Sequence, residues 1–316
     1  MIGVCIVTYN QEQYIAQAIE SVLSQADCGH EVVAYVGEDN STDRTGEICD
    51  EIANRVSELG NERVSVKVIH NKKNLGLVGN TMNLLDIMRK DGWGYIAMLD
   101  GDDYWSDGHK LQKQMAYMEA HPEYGLVHTC IDLLYPHKLV RDKRTSMPEG
   151  DVFQLIGNYP IGNCSVVFKT ELLEMIDFEE FQKQGLQSCD YVMYGIFASK
   201  AKFGFMPEHT AVWRRGIESV SGTADMEKQI RYIQNELAHW SYLAKLFPKR
   251  WTYSDAEGER YLHMSSFNIA FRFGNRKRAL DEVKLMSKED KKRYRLKILV
   301  AHSALLSFLW RKWKEV

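Results

Sequence analysis

Three aspartates lie within four residues in the segment Asp100-Gly101-Asp102-Asp103. Carboxylates held this close repel one another unless a cation lies between them. Mg²⁺ takes oxygen ligands and is commonly held by one or two carboxylates together with the phosphates of a substrate. The segment therefore predicts a divalent-cation site that serves a phosphate-bearing substrate. A solvated acidic turn, or the acidic first turn of a helix, is the alternative.

The acidic segment follows directly after a short apolar run, the fourth such run in the first hundred residues. Short runs that are rich in β-branched residues are typical of strands, and helical patterns separate these four. One strand and one helix in roughly thirty residues is the βαβ pattern, which predicts a parallel sheet with helices on both faces. The runs are Ile2–Val7, Val32–Val36, Val64–Ile69 and Tyr95–Leu99.

A polar segment follows each of these predicted strands. In parallel sheets, ligands bind beyond the carboxyl ends of the strands. We therefore expect the four polar segments to converge in space, although they are spread over a hundred residues of sequence. They are Thr8-Tyr9-Asn10, Glu38-Asp39, Asn71–Gly76 and Asp100–Asp103.

The pattern changes after residue 103. Further strands are predicted at Leu126–Leu134, Ser165–Phe168 and Val212-Trp213, with a helix at Ser188–Lys200 and a mobile polar loop at Pro136–Asp151. From Asp225 onward the periodicity is wholly helical. We therefore predict a sheet domain over residues 1–222 and a helical region over residues 223–316.

Composition excludes several classes of protein. With 45% hydrophobic and 26% charged residues, the chain of 316 residues is predicted to fold, and its net charge of −3 gives no general case for nucleic-acid binding. Six cysteines form no CxxC pair, which argues against a zinc ribbon or a thioredoxin-type site. No targeting segment and no apolar run of about 18 residues is visible, so we expect a soluble, cytoplasmic protein.

Seven segments together resemble family 2 glycosyltransferases, over residues 1 to about 222. They occur in the family's order and at familiar spacings. The segments are Val4–Asn10, Glu38–Thr45, Asn74–Gly76 with Asn83, Leu99–Trp105, Pro160–Phe168, Cys189–Tyr191 and Val212–Arg214.

The resemblance implies the GT-A fold, a mostly parallel Rossmann-like sheet flanked by helices, here followed by an all-helical extension. It implies a metal-dependent, inverting transfer of a hexosyl-type sugar from a nucleotide-sugar donor to a hydroxyl acceptor. A UDP-sugar is the favoured donor, and the synthesis of surface polysaccharide or another glycan is the expected setting.

The resemblance also implies roles for residues on the donor side. Asp102 would be the main protein ligand to Mn²⁺ or Mg²⁺, and Asp39 would accept a hydrogen bond from the imide of uracil, with an Asx turn as the alternative. Asn40 would replace the family's glycine, because asparagine tolerates a left-handed conformation. Asp103 is interpreted as a cap of the following turn. The expected nucleotide-sugar-binding residues are Thr8, Tyr9, Asn10, Asp39, Asn74, Gly76, Asp100, Gly101 and Arg214.

On the acceptor side the resemblance makes Asp190 the catalytic base, which would take the proton of the attacking hydroxyl. An N-terminal helix cap is the alternative for Asp190, and Cys189 stands where the family often has glutamate. Asn163 and Arg215 are expected near the acceptor. A surface pair after a strand is the alternative for Arg214 and Arg215.

The chain ends in a basic segment. Residues 288–316 hold nine Lys or Arg and three acidic residues, a net charge of +6, which leaves −9 for the rest of the chain. An apolar stretch, Ile298–Trp310, lies between the basic ends. Three interpretations stay open: peripheral contact with the inner face of the plasma membrane, packing on the preceding helices, or a homo-oligomer contact. The resemblance adds a glycan or lipid-linked glycan as the acceptor.

Two other classes of function are open alternatives. A nucleotidyltransferase would usually carry a glycine-rich, basic phosphate loop after its first strand, whereas Thr8–Glu12 contains neither glycine nor a basic residue. A non-catalytic carbohydrate- or partner-binding module on the same fold would be favoured by loss of the acidic segment or of the base. Both are present in this sequence.

Overall fold

The computed structural model describes residues 1–60, 63–143, 161–215, 225–250, 253–307 and 310. By their internal contacts the residues form two compact units, Met1–Arg215 and Gly216–Val316. Residues 144–151 of the predicted loop Pro136–Asp151 lie outside the described residues. Pro160 of the fifth resembling segment and the basic tail beyond Trp310 also lie outside them.

The first unit alternates strands and helices along its first half, as the sequence predicts. Each early strand runs one or two residues further than its apolar core, into the polar segment that follows. The elements are β1 (Ile2–Thr8), α1 (Ile15–Leu23), β2 (Val32–Glu38), α2 (Thr45–Glu58), β3 (Val64–His70), α3 (Gly76–Lys90), β4 (Tyr95–Asp100), β5 (Tyr104–Trp105), α4 (Lys110–Ala120), β6 (Tyr124–Tyr135), β7 (Lys138–Val140), β8 (Val167–Lys169), α5 (Phe178–Lys183), α6 (Asp190–Ala198) and β9 (Lys202–Arg214).

One mixed, mostly parallel sheet runs through this unit, in the order β3-β2-β1-β4-β8-β6-β9-β5, with β7 paired to β6. Strands β1 to β4 are parallel, and β6 pairs parallel with β9, whereas β8 is antiparallel to both of its neighbours. All seven residues of β1 and of β2 are buried, which is the expected state of parallel strands covered on both faces. The predicted parallel α/β architecture is therefore confirmed.

Strand β9 differs from its prediction. The apolar pattern indicates a short strand at Val212-Trp213, whereas β9 has 13 residues. Its middle contains Pro207, Glu208 and His209, and its pairing with β6 shifts register there, so the alternation of polar and apolar residues is lost. The predicted loop after β6 also contains β7, which forms a hairpin with β6.

The core of the first unit lies between the sheet and helices α1, α2 and α4. Its members include Ile6, Ile19 and Leu99, all fully buried. All six cysteines are free thiols, and five of them are buried.

The second unit is helical, as predicted. Side chains of Asp225, Ser254, Asn275 and Ser287 cap four of its helices, and a small core forms around Phe267, Ala270 and Ala301. Among the helices in the described ranges, none is long and apolar enough to cross a membrane. The helices are α7 (Met226–Leu246), α8 (Asp255–Arg272), α9 (Arg276–Leu285), α10 (Lys288–Arg293) and α11 (Arg295–His302).

Candidate active site

The polar segments after β1, β2 and β4 meet at one edge of the sheet. Strand register places Thr8 beside Glu38, and Val7 beside Asp100. The Asp39 backbone N–H donates to the Thr8 carbonyl at 3.1 Å, and the Gly101 N–H donates to the Val7 carbonyl at 2.9 Å. The segments predicted to converge therefore do so around the end of β1.

The acidic segment is a tight turn packed against the end of β1. The Asp103 N–H donates to the Asp100 carbonyl at 2.9 Å. A Cβ at Gly101 would lie 2.5 Å from Gln11 Oε1 and 2.9 Å from Thr8 Oγ1. Only glycine fits this approach, and Thr8 Oγ1 in turn donates to Gln11 Oε1 at 2.8 Å. Gly101 therefore lets the turn sit directly on Thr8, and its expected contact with a donor stays a prediction.

The three carboxyl groups of this turn have raised pKa values. Burial, followed by the charge of Asp102, raises the pKa of Asp100 to about 7, against hydrogen bonds from Asn163. Burial also raises the pKa of Asp102, and burial with its two acidic neighbours raises the pKa of Asp103 well above its usual range. The site thus concentrates negative charge where water is scarce, and a bound cation would stabilise the ionised carboxylates.

Asp100 is held by a chain of hydrogen bonds from two other elements. Asn163 Nδ2 donates to both carboxylate oxygens of Asp100, at 3.1 and 3.2 Å. Tyr194 Oη of α6 donates to Asn163 Oδ1 at 2.7 Å. Asn163, predicted on the acceptor side, therefore lies against the acidic turn, and buried Tyr194 fixes the orientation of its amide. Sequence reasoning missed Tyr194, although it follows Asp190 by four residues on one helix face.

Arg214, at the end of β9, holds the acidic turn from the other side. Its backbone N–H donates to Asp103 Oδ1 at 2.9 Å, and its guanidinium donates to the Asp102 carbonyl and to Gln17 Oε1. Asp103 thus bonds across the sheet rather than within the following turn.

The guanidinium of Arg214 lies between two aromatic rings, 5.0 Å from the ring centre of Tyr14 and 4.8 Å from that of Tyr104. A planar cation suits this stacked position, and only 9% of the residue is exposed. The structure therefore places Arg214 as a support of the turn. The predicted contact with a donor diphosphate stays a prediction.

Replacing Arg214 with lysine is expected to lower the free energy of unfolding by about 2 kcal/mol, because the compact ammonium group lacks the planar fork that stacks between two rings while it donates to two separate acceptors. Urea denaturation of wild type and variant measures this difference. Arg215→Lys is the matched control, since Arg215 is the next residue of the chain and its guanidinium lies over the Trp213 ring, 4.3 Å from the ring centre. An equal loss in both variants would contradict the assigned role of Arg214.

Asp39 clamps the loop that leads into α3. Its Oδ1 accepts hydrogen bonds from Asn71 Nδ2 and the Leu75 N–H, both at 2.8 Å, and its Oδ2 accepts from the Gly76 N–H at 2.9 Å. Asn74 Oδ1 accepts from the same Gly76 N–H at 2.9 Å. An ionised carboxylate offers about four acceptor positions, so Oδ2 retains one. The structure thus joins Asp39, Asn74 and Gly76 in one wall beside the end of β1.

Asn10 ties the loop after β1 to the loop after β2. Its Oδ1 accepts from the Thr42 N–H at 2.8 Å, and its own N–H donates to Ser41 Oγ at 3.0 Å. Asn40 has a φ of 59°, which confirms the left-handed conformation predicted for it. Tyr9 is 43% exposed beside this loop, and Thr8 is buried.

Asp190 is the first residue of α6, and its charge acts on the acidic turn. It contributes to the raised pKa values of both Asp100 and Tyr194, after the effect of burial on each. The residue before it, Cys189, is buried, forms no side-chain cap, and has a thiol whose pKa burial raises above its usual range. Asp190 therefore lies in the electrostatic neighbourhood of Asp100, as its predicted role requires.

The ligand chemistry of the turn fits a hard divalent cation, since its side chains offer carboxylate oxygens. In the part of the chain that the structure describes, no three His, Cys, Asp or Glu side chains form a ready-made metal site. A Mg²⁺-type ion needs no such cage, because it is held by one or two carboxylates and completed by water and substrate phosphates. The side chain of Gln11 lowers the pKa of Asp102 against the larger effect of burial, an interaction that sequence reasoning also missed.

Comparisons with known proteins support the same fold. An uncharacterized protein of Mycobacterium tuberculosis, Rv1520, is 26% identical over 229 residues, which cover 71% of this chain and 61% of that protein. EpsE of Bacillus subtilis is 36% identical over 143 residues, or 45% of this chain and 47% of EpsE. The chain thus spans about six-tenths of the length of the mycobacterial relative, by the 61% coverage.

Two solved structures share the fold at low sequence identity. Residues 1–349 of S. aureus TarS, in complex with UDP-GlcNAc, align with a TM-score of 0.54 and 16% identity, over 98% of this chain and 91% of that fragment. Mannosyltransferase PcManGT from Pyrobaculum calidifontis, in complex with GDP-Man and Mn²⁺, aligns with a TM-score of 0.54 and 16% identity, over 100% of this chain and 88% of PcManGT. The family model for glycosyl transferase family 2 matches residues 3–164. With this match, and with a GT-A fold that carries the acidic turn at its carboxyl edge, the chain belongs to glycosyl transferase family 2.

Proposed function

We propose that this protein is a metal-dependent, inverting glycosyltransferase that moves a sugar from a nucleotide-sugar donor to a hydroxyl acceptor. The observation that carries the proposal is the acidic turn Asp100–Asp103 at the carboxyl edge of the sheet, with Asp39 on one side and Asp190 on the other. Residues 1–222 would form the catalytic domain and residues 223–316 a helical extension.

On the donor side, a UDP-sugar is the proposed substrate. The remaining acceptor position on Asp39 Oδ2 suits the imide N–H of uracil, and the wall formed by Asn74 and Gly76 would flank the base. Thr8, Tyr9 and Asn10 would line the ribose side. TarS binds UDP-GlcNAc and PcManGT binds GDP-Man in their solved structures, which supports a nucleotide-sugar but leaves the base as part of the proposal.

Asp102 would hold Mn²⁺ or Mg²⁺, with Asp100 beside it. The ion would supply charge neutralisation for the departing nucleoside diphosphate. The half-buried carboxylate of Asp102, and the burial of Asp100 and neighbouring charge of Asp102 that together raise the pKa of Asp100, support this assignment. PcManGT was solved with Mn²⁺, which is the metal we would test first.

Asp190 would act as the base. The acceptor oxygen attacks the anomeric carbon, the bond from that carbon to the diphosphate oxygen breaks with its electron pair, and the hydroxyl proton passes to the Asp190 carboxylate. A single displacement of this kind inverts the anomeric configuration. Asn163 and Arg215 would border the acceptor, while Arg214 and Tyr194 keep the acidic turn in position.

The acceptor is proposed to be a glycan or lipid-linked glycan of a surface polysaccharide. We propose that the enzyme acts in the cytoplasm at the inner face of the plasma membrane, where such an acceptor would be presented. The basic tail 288–316 supports this location through its charge of +6.

A screen of UDP- and GDP-sugars tests the proposal. One donor is expected to raise the melting temperature with Mn²⁺ and much less without it, because a ligand bound only by the native state stabilises that state. The same donor should release its nucleotide slowly in water and faster with a glycan acceptor. Donor binding without transfer to any acceptor or to water would overturn the enzymatic proposal and favour a carbohydrate-binding module.

A further inference from the structure

Helix α11 has one face in the core of the helical unit and the other in solvent. Val300 and Ala301 are buried in the small core, with Ile298 packed against it. On the opposite side, Leu296 is 59% exposed and Leu299 is 64% exposed. The helix is therefore anchored from within while its outer face is apolar.

A second helical segment, residues 304–307, follows α11 and carries two further exposed leucines. Leu305 is 66% exposed and Leu306 is 49% exposed. We call Leu296, Leu299, Leu305 and Leu306 the leucine face. Single exposed leucines are ordinary, but four within 11 residues of one surface segment are typical of an interaction site.

The sequence in and before the leucine face is basic. Residues 291–307 contain five Lys or Arg and no Asp or Glu, and Lys292, Arg293 and Arg295 are exposed. Arg295 precedes Leu299 by four residues, so the two share one side of α11. Exposed apolar and basic side chains therefore occur together in this segment, and no carboxylate lies between them in sequence.

This combination decides the kind of partner. A surface that is anionic at its outside and apolar just beneath complements exposed leucines bordered by lysine and arginine. We infer that the leucine face and its basic neighbours dock on an anionic phospholipid surface, with α11 lying in the plane of the headgroups. Such docking would bring the active site to a lipid-linked acceptor, and only this purpose rests on the proposed function.

Vesicle co-sedimentation of the full chain tests the inference. Wild type is expected to bind vesicles of phosphatidylglycerol and phosphatidylcholine, to bind pure phosphatidylcholine weakly, and to lose binding as salt is raised. Leu296→Ser with Leu299→Ser should weaken binding at least about tenfold, since the buried apolar area is lost. Lys292→Glu with Arg295→Glu should weaken binding to anionic vesicles by a similar factor.

Leu59→Ser is the matched control, because Leu59 is 76% exposed at the end of α2 in the other unit. Circular dichroism checks that each variant is folded. Equal vesicle binding by wild type and the double serine variant would overturn the inference, as would absence of binding to anionic vesicles.

Sedimentation velocity without lipid identifies the competing occupant. The lipid assignment would be overturned if wild type is a dimer that does not bind vesicles and the double serine variant is a monomer. The leucine face would then be a contact between two copies of the chain. Nucleotide release from the free donor in water is measured in the same variants. Vesicle binding without nucleotide release would contradict the proposed function and leave the docking surface standing.

Discussion

Replacing Asp102 with asparagine is expected to lower sugar transfer at least about a hundredfold, a loss of about 3 kcal/mol of transition-state stabilisation. The amide keeps the size of the side chain and leaves the Asp102 carbonyl in place for Arg214. It removes the charge that would hold the cation beside the diphosphate. Steady-state turnover with saturating donor, over a Mn²⁺ titration, measures the effect.

Asp107→Asn is the control for Asp102. Asp107 lies beyond the acidic turn and bonds the His109 N–H and Lys113 Nζ, at 2.9 and 2.6 Å. This variant should lose some stability and keep its turnover. The Asp102 variant should also lose the Mn²⁺-dependent part of donor-induced thermal stabilisation. Undiminished turnover by Asp102→Asn would remove the metal role from that residue.

Asp190→Asn should lower kcat by about 10² to 10⁴ and leave the KM for the donor nearly unchanged, since a base acts on the acceptor hydroxyl in the transition state. Asp190 is the first residue of α6 and Cys189 is its N-cap, so loss of the charge near the helix N-terminus should lower the free energy of unfolding by no more than about 1 kcal/mol. A purely structural role at the start of α6 would instead give a stable variant with full activity.

Asp177→Asn provides the comparison for Asp190. Asp177 caps α5 by accepting a hydrogen bond from the Glu180 N–H at 2.9 Å, and it plays no part in the proposed site. Both variants exchange a carboxylate for an amide at the start of a helix. If the two have the same kcat, Asp190 is not the base, and the search moves to other groups around the acidic turn.

The early strands were predictable because they are buried on both faces. Such strands read as continuous apolar runs, so β1, β2 and β4 are visible without any knowledge of their neighbours. Strand β9 was not, because Pro207, Glu208 and His209 interrupt its middle and its register with β6 shifts at that point. The length of a half-exposed strand is set by its partner, which no local pattern contains.

The site also contains residues that a local sequence pattern reveals and residues that it does not. The acidic turn and Asp39 stand out because a carboxylate after an apolar strand has few structural explanations. Arg214 was noticed for its affinity for phosphate, yet its contacts reach Asp103 and Gln17, which are 111 and 197 residues away in sequence. Tyr194 carries no such signal and acts only through Asn163. Residues that support a site from distant parts of the chain are brought there by packing, and a single sequence carries no local pattern that identifies them.

The hydrogen bonds of Asp39 have a consequence for the speed of donor capture. Three hydrogen-bond donors already fix its carboxylate and the start of α3, so the wall that we propose to flank the base is formed before any nucleotide arrives. Binding then pays no entropy to order this segment. Association on this side should therefore be governed by diffusion and orientation, and differences between competing nucleotides should show chiefly in how long each stays bound.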